Sequence, residues 1–301
     1  MSENHPIPPR ATVAITTKNR KDELRTAVRS ALKQSLPVEV LVIDDGSTDG
    51  TSEMIRSEFP AVALHRFEKS GGLIVRRNDA AKLASGPIIF SIDDDAEFIS
   101  ERTVEQTLAE FDDPTIGAVA IPVLDVNKPG SKALIPPADG KVYVCHSYIG
   151  TSHALRRDVF LELGGYREFL FHQGEEGDYC VRLMQRGLWI SVGRADTIHH
   201  YESPKRDKKR MDLYGRRNDV LTAWCNTPAS ALIQQLLGTT LRGAMFGFRV
   251  KRPFRAIQGL FMGYVAIFKF WGQRKPVSAK VFRTWRFIKR ATLVKRSDVQ
   301  G

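Results

Sequence analysis

Short apolar runs alternate with amphipathic stretches through the first third of the chain. Residues 11–17 predict a buried strand, and Lys18-Asn19-Arg20 lead into a helical stretch to about residue 34. Residues 38–43 form a second apolar run, closed by Asp44-Asp45-Gly46-Ser47-Thr48-Asp49-Gly50, with a helix expected over 51–59. A third strand is expected at 62–67, a helix opened by Gly71-Gly72 and running through residue 83, and a fourth strand at 87–92. Such alternation predicts α/β architecture: a mostly parallel, Rossmann-like sheet flanked by helices, with its ligand cleft at the C-terminal strand ends. The Asp-rich loops after the second and fourth strands then share one edge.

The pattern is less regular beyond residue 100. A helix is expected over 100–111 with Ser100 as N-cap, a strand over 117–123, and a Pro/Gly/Lys-rich loop over 127–140. Helices are expected at 157–163 and 175–186, the latter stopped by Gly187, and a strand-like run at 194–198 leads to His199-His200. Past Asp219 come weakly amphipathic helices broken at Pro228, Pro253 and Pro276. The expected division is an α/β domain over 10–225 and a basic, aromatic helical appendage over 226–297.

Among 301 residues, 42% hydrophobic and 26% charged composition excludes a disordered chain. The net charge of +11 is unevenly placed, because residues 220–297 carry fifteen Lys or Arg and no acid, which leaves −4 for the rest. Cys145, Cys180 and Cys225 lack Cys-x-x-Cys spacing, which favours reduced thiols over a disulfide frame or zinc site. The stretch with Pro6, Pro8 and Pro9 has no signal-peptide core, and the apolar run 259–268 stops at Lys269. That run is short of the roughly 18–20 residues of a spanning helix. The expected location is cytoplasmic, with peripheral contact to the inner face of the cell membrane.

The run Phe90-Ser-Ile-Asp-Asp-Asp95 delivers three adjacent carboxylates at a strand end. Like charges so close repel unless water or a cation neutralises them. Hard carboxylate oxygens suit Mg²⁺ or Mn²⁺, which in turn suit phosphates.

Six motifs occur in order: Ile15-Thr-Thr-Lys-Asn-Arg20, Val42-Ile-Asp-Asp-Gly-Ser-Thr-Asp49, Arg76-Arg-Asn78, Ile92-Asp-Asp-Asp95, Gly174-Glu-Glu-Gly-Asp-Tyr-Cys-Val-Arg-Leu183 and His200-Tyr-Glu-Ser203. Together they resemble inverting glycosyltransferases of the family-two type with a GT-A fold, over about residues 10–225. The resemblance implies that Asp93 and Asp95, with Asp94 between, hold Mn²⁺ or Mg²⁺ on a donor diphosphate. Asp95 is expected on the metal and Asp93 nearer the ribose. A metal acting as Lewis acid would spare the leaving nucleotide any need of a proton. By the family's His-x-x-Ser spacing, His200 rather than His199 is the third ligand. Asp45 matches the position that accepts from the base, Thr16 and Lys18 flank that pocket, and Arg77 and Asn78 match a donor-contacting pair. The general base matches Glu176, although Glu175 and Asp178 stand close enough to leave the choice open. Arg216-Arg217-Asn218 resembles a basic element near the diphosphate, whereas His146, His153 and His172 fit no pattern. Trp189 and Trp224 read as packing.

The implied function is metal-dependent transfer, with inversion, from a nucleotide-diphosphate sugar to an acceptor hydroxyl in surface polysaccharide or glycolipid synthesis. The acceptor would be a sugar, a lipid-linked saccharide or a polysaccharide. A sugar nucleotidyltransferase is the alternative enzyme, but it wants a Gly-rich loop after the first strand, and residues 15–20 contain no glycine. A nucleic-acid-binding protein would fit the pI near 9.7. The basic residues are nonetheless confined to the tail, and an acidic cleft repels a phosphate backbone, so no nucleic acid is expected. In the tail, Lys251, Arg255, Lys269 and Arg283 are interleaved with Phe254, Phe261, Phe268, Phe282 and Trp285. That mixture suits an anionic membrane surface, or else packing on the body or a second subunit.

Overall fold

The computed structural model describes residues 9–203 and 207–299; Pro6 and Pro8 lie outside the described residues. The first third follows the expected alternation to within a few residues: β1 (Thr12–Thr17), α1 (Lys21–Leu32), β2 (Glu39–Asp44), α2 (Thr51–Glu58), β3 (Ala63–Arg66), α3 (Leu73–Leu83) and β4 (Ile88–Asp93). There follow β5 (Ala96–Phe98), α4 (Thr103–Ala109), β6 (Ile116–Ala120), β7 (Val123–Asp125), β8 (Tyr143–Val144) and β9 (Ser152–Arg156). Then come α5 (Arg157–Glu162), α6 (Glu175–Gln185), β10 (Trp189–Val192), β11 (Ile198–His200) and α7 (Lys208–Asn226). The chain closes with α8 (Ala229–Arg249), α9 (Pro253–Lys269), α10 (Ala279–Ala291) and β12 (Val294–Lys295).

A nine-stranded sheet runs β12-β8-β10-β6-β9-β4-β1-β2-β3, and a three-stranded sheet runs β5-β11-β7. β1 pairs in parallel with both β2 and β4, so the strand order reverses beside β1 and leaves a crevice at its C-terminal end. Thr16 is in register with Asp93, so the segments leaving β1 and β4 emerge side by side. The sheet is mixed because β9 runs antiparallel between β4 and β6. β1 is buried along its whole length, consistent with helices covering both faces.

Three expectations shift. Ser100 does not cap a helix: α4 starts at Thr103, and Gln34, two residues past α1, accepts from the Val104 amide at 2.9 Å. This tertiary cap is invisible to local pattern. The strand expected at 117–123 divides into β6 and β7 around Pro122, which has no amide proton for the ladder. Its carbonyl instead accepts from Ile198 at 2.9 Å and hands the chain to the smaller sheet. Of the run 194–198, only Ile198 lies in a strand.

The tail is helical as expected, and its end is built into the body. α10 packs on α6, and β12 pairs with β8 through Val294 and Val144. Phe282 is buried, and Phe270 stacks on Phe169 at 4.5 Å. α9 lies tight on α7, where a Cβ at Gly263 would stand 2.7 Å from that of Val220.

Candidate active site

The crevice beside β1 opens into a cavity of about 850 Å³. Thr16, Lys18, Asp45, Arg77, Asp93, Asp94, Asp95, Glu175 and Glu176 all line it, brought together from β1, β2, α3, β4 and α6. Lys18 is exposed at the rim.

The three aspartates have different partners. Asp93 accepts from Arg77 Nη2 at 2.8 Å and from Thr151 Oγ1 at 2.7 Å. Asp94 accepts from Thr17 Oγ1 and Arg20 Nη1, each at 2.8 Å, and burial pushes its carboxyl up to about 7. Arg20 Nη2 also donates to Asp95 at 2.9 Å. The smaller sheet brings in His200, whose Nε2 lies 3.3 Å from Asp95 Oδ1, because β11 pairs His200 with Ala96 of β5 and with Asp125 of β7. Asp125 stands behind the imidazole, 3.7 Å from Nδ1.

One ligand atom from each of Asp93, Asp95 and His200 fits within 4.8 Å of the others. Two carboxylates and an imidazole suit Mn²⁺ or Mg²⁺ and leave positions open for phosphate oxygens. A divalent cation there would also relieve the repulsion that Asp93 and Asp95 exert on Asp94.

α6 presents Glu175 and Glu176 at its first turn, where the macrodipole favours carboxylates. The segment before it turns sharply: Phe171, Gln173 and Gly174 all have positive φ (63°, 69° and 87°). The buried Asn218 amide on α7 holds that segment by donating to the carbonyls of Leu170 and Gln173, each at 2.7 Å. Arg77 joins the two acidic groups, with Nη1 3.3 Å from Glu175 and 3.7 Å from Glu176 while Nη2 reaches Asp93. Burial raises both glutamates above their ordinary range, with Arg77 opposing. The Glu176 side chain retains 21% of its exposure and that of Glu175 only 3%, so Glu176 is the one a solute can reach. Gly150 lets this happen: a Cβ there would overlap the Glu176 carboxylate and stand 2.7 Å from Arg77 Nη1.

Two of the expected residues are placed elsewhere. Asn78 does not line the cavity but bonds across to Tyr166, donating to its carbonyl at 2.9 Å and accepting from its amide at 2.8 Å. Asp178, fully buried on the far side of α6, accepts from Arg167 at 2.6 Å, Arg182 at 3.0 Å and Asn226 at 2.7 Å. It cannot meet an acceptor there. Asp178→Ala is expected to strand two arginine charges and cost about 3 kcal/mol of stability, read from the urea midpoint. An unchanged midpoint with lost turnover would return Asp178 to the chemistry.

Asp45 lines the cavity but is already well supplied, accepting from Ser70 Oγ (2.5 Å), Arg76 Nε (2.6 Å), Gly71 N (2.7 Å) and Gly72 N (3.0 Å). Against the opposing effect of burial, these bonds hold its carboxyl below the usual range. A base reaching Asp45 would share it with the turn that positions α3. Arg216 faces away, paired with Asp219 at 2.8 Å, while Arg210 one and a half turns earlier lines the cavity. The cavity also takes in Arg20, Thr151, His172 and Arg210, of which only Arg20 lies inside one of the six motifs. His153, given no role, is buried in a stack on Tyr148 at 4.1 Å.

An open α/β sheet with a carboxylate-lined crevice at its switch point is the architecture of GT-A glycosyltransferases, and solved structures of that class superpose on it. TarS of S. aureus in complex with UDP-GlcNAc matches with TM-score 0.63 and 18% identity, over 94% of this chain and 88% of that one. The mannosyltransferase PcManGT from Pyrobaculum calidifontis, solved with GDP-Man and Mn²⁺, matches at 0.59 and 18% identity, over 95% and 85%. The chain belongs to glycosyl transferase family 2, whose profile matches residues 12–164, just over half its length. It is 30% identical over 201 residues to the succinoglycan biosynthesis protein ExoU of Rhizobium meliloti, covering 60% of this chain and 58% of that protein. It is 24% identical to the glucosyl-dolichyl phosphate glucuronosyltransferase of Haloferax volcanii, covering 62% of this chain and 67% of that one. The chain thus spans about three-fifths of the length of the first of these relatives.

Proposed function

We propose that this chain transfers a sugar from a nucleotide-diphosphate sugar to an acceptor hydroxyl with inversion, in surface polysaccharide or glycolipid synthesis. The observation that carries this reading is that ligand atoms of Asp93, Asp95 and His200 meet within 4.8 Å, while Asp93 and Asp95 line the same cavity as Glu176. When bound there, Mn²⁺ or Mg²⁺ supplies Lewis acidity to a diphosphate leaving group. Asp93 and Asp95 would hold it and His200 would complete the set, with Asp125 3.7 Å behind the imidazole supplying negative charge to its far nitrogen. Lys18 and Arg210 line the same cavity and offer further positive charge to phosphate. Thr16 and Asp45 bound the end expected to take the base.

Glu176 removes the acceptor proton. It is the more accessible carboxylate of its pair, and Arg77 fixes it relative to Asp93. The names of the relatives support a polysaccharide or lipid-linked acceptor. Among the described residues no helix is long and apolar enough to cross a membrane. A lipid-linked acceptor would therefore be met from the membrane surface.

The test is a panel of nucleotide sugars, with nucleotide release followed in Mn²⁺ or Mg²⁺. Release from one donor class, abolished by chelation, is the expected result. Release of pyrophosphate from a nucleoside triphosphate and a sugar phosphate would establish the nucleotidyltransferase instead.

A further inference from the structure

We infer that the outer face of the α8–α9 hairpin is a docking surface for an anionic lipid bilayer, entered by apolar side chains and rimmed by Lys and Arg. This gives the membrane location proposed above a specific surface, and its test does not depend on sugar transfer.

On α8, Ile233, Leu237, Leu241, Met245 and Phe248 recur at three- and four-residue spacing and are all exposed. On α9, Phe254, Ile257, Phe261, Val265 and Phe268 do the same, with exposures from 50% to 86%. The two helices lie against each other along their length. A Cβ at Gly243 would stand 2.9 Å from Leu260, Gly247 lies against Ala256, and the Thr240 and Tyr264 hydroxyls meet at 2.6 Å. The two stripes therefore run side by side on one hairpin. Ten large apolar side chains amount to apolar surface on the order of 1,000 Å², beyond the few hundred Å² typical of one patch on a soluble monomer.

The sequence alone spreads the basic and aromatic residues over the whole tail, but the structure sorts them. Phe270 and Phe282 pack inward, Arg252 pairs with Asp212, and Arg274 lies over Trp224 at 4.9 Å. Apart from Trp271 and Phe287, every large apolar side chain left exposed on the described tail lies on the hairpin stripe, with exposed Arg249, Lys251, Arg255 and Lys269 on the same two helices and their turn. Residues 220–297 contain no acid, so a second copy laid on this face would set like charges opposite one another with no carboxylate from either tail. Anionic headgroups supply the missing charge, and acyl chains accept the stripe. With no spanning helix among the described residues, the hairpin lies in the interface plane.

The experiment is sedimentation of the full chain with vesicles of phosphatidylcholine alone and with phosphatidylglycerol added, at low and high salt. The chain is expected to favour the anionic vesicles about tenfold and to keep part of its binding at high salt, where only the apolar term survives. Phe254→Asp with Phe261→Asp should reduce binding about tenfold at both salts, with melting and nucleotide release unchanged. Arg249→Glu with Lys251→Glu should reduce the preference for anionic lipid and leave the salt-resistant part. Failure to sediment with either vesicle, or wild-type binding by the aspartate variant, overturns the proposal. So does a dimer in light scattering that the aspartate variant dissociates, since a second copy would then cover the face.

Discussion

Glu176→Gln is expected to lower kcat by about 100- to 10,000-fold while nucleotide affinity stays nearly unchanged, because proton removal matters only in the transition state. The substitution keeps the side-chain volume, which matters beside Gly150, where a single Cβ would overlap the carboxylate. The new side-chain amide would still lie near Arg77, so the fold should hold, and melting serves as the control. Glu175→Gln should do less to kcat, since Glu175 is buried against Arg77 with only 3% of its side chain exposed. If Glu175→Gln proves the crippling change, the base is one residue earlier than assigned.

Asp95→Asn should abolish transfer and weaken Mn²⁺ binding by at least about tenfold with little change in melting, because it deletes one hard anionic ligand. The fold is protected locally. Arg20 keeps its bond to Asp94 at 2.8 Å, and an Asn oxygen can still accept from it. Metal binding, titrated directly, separates this effect from damage to the base. Unchanged Mn²⁺ affinity and turnover, with a cation still required, would remove Asp95 from the ligand set.

Much of the candidate site was legible because it rests on local pattern. An apolar run ending in Asp93-Asp94-Asp95, and another ending in Asp44-Asp45, place carboxylates at strand ends in any parallel sheet. Asn78 and Asp178 illustrate what motif matching misses. Both sit within two residues of cavity-lining positions, but helical geometry turns successive side chains by about 100°, which carries them off the cavity face. Arg210 was illegible for the opposite reason: it joins the cavity only because α7 packs over the turn at Gln173-Gly174.

The sequence by itself determined the alternating strands and helices, the edge on which the carboxylates gather, and the basic, acid-free tail. Periodicity of two or 3.6 residues and the position of charges along the chain suffice for these. Tertiary structure decided which carboxylate faces the cavity, because exposure differs between adjacent helix positions and is set by what packs against each. It also decided that His200 meets Asp95, through a pairing of β11 with β5 separated by about a hundred residues. It divided the tail as well. α10 and β12 find partners on α6 and β8, while one face of the α8–α9 hairpin finds none within the described chain, because α7 packs against its other face.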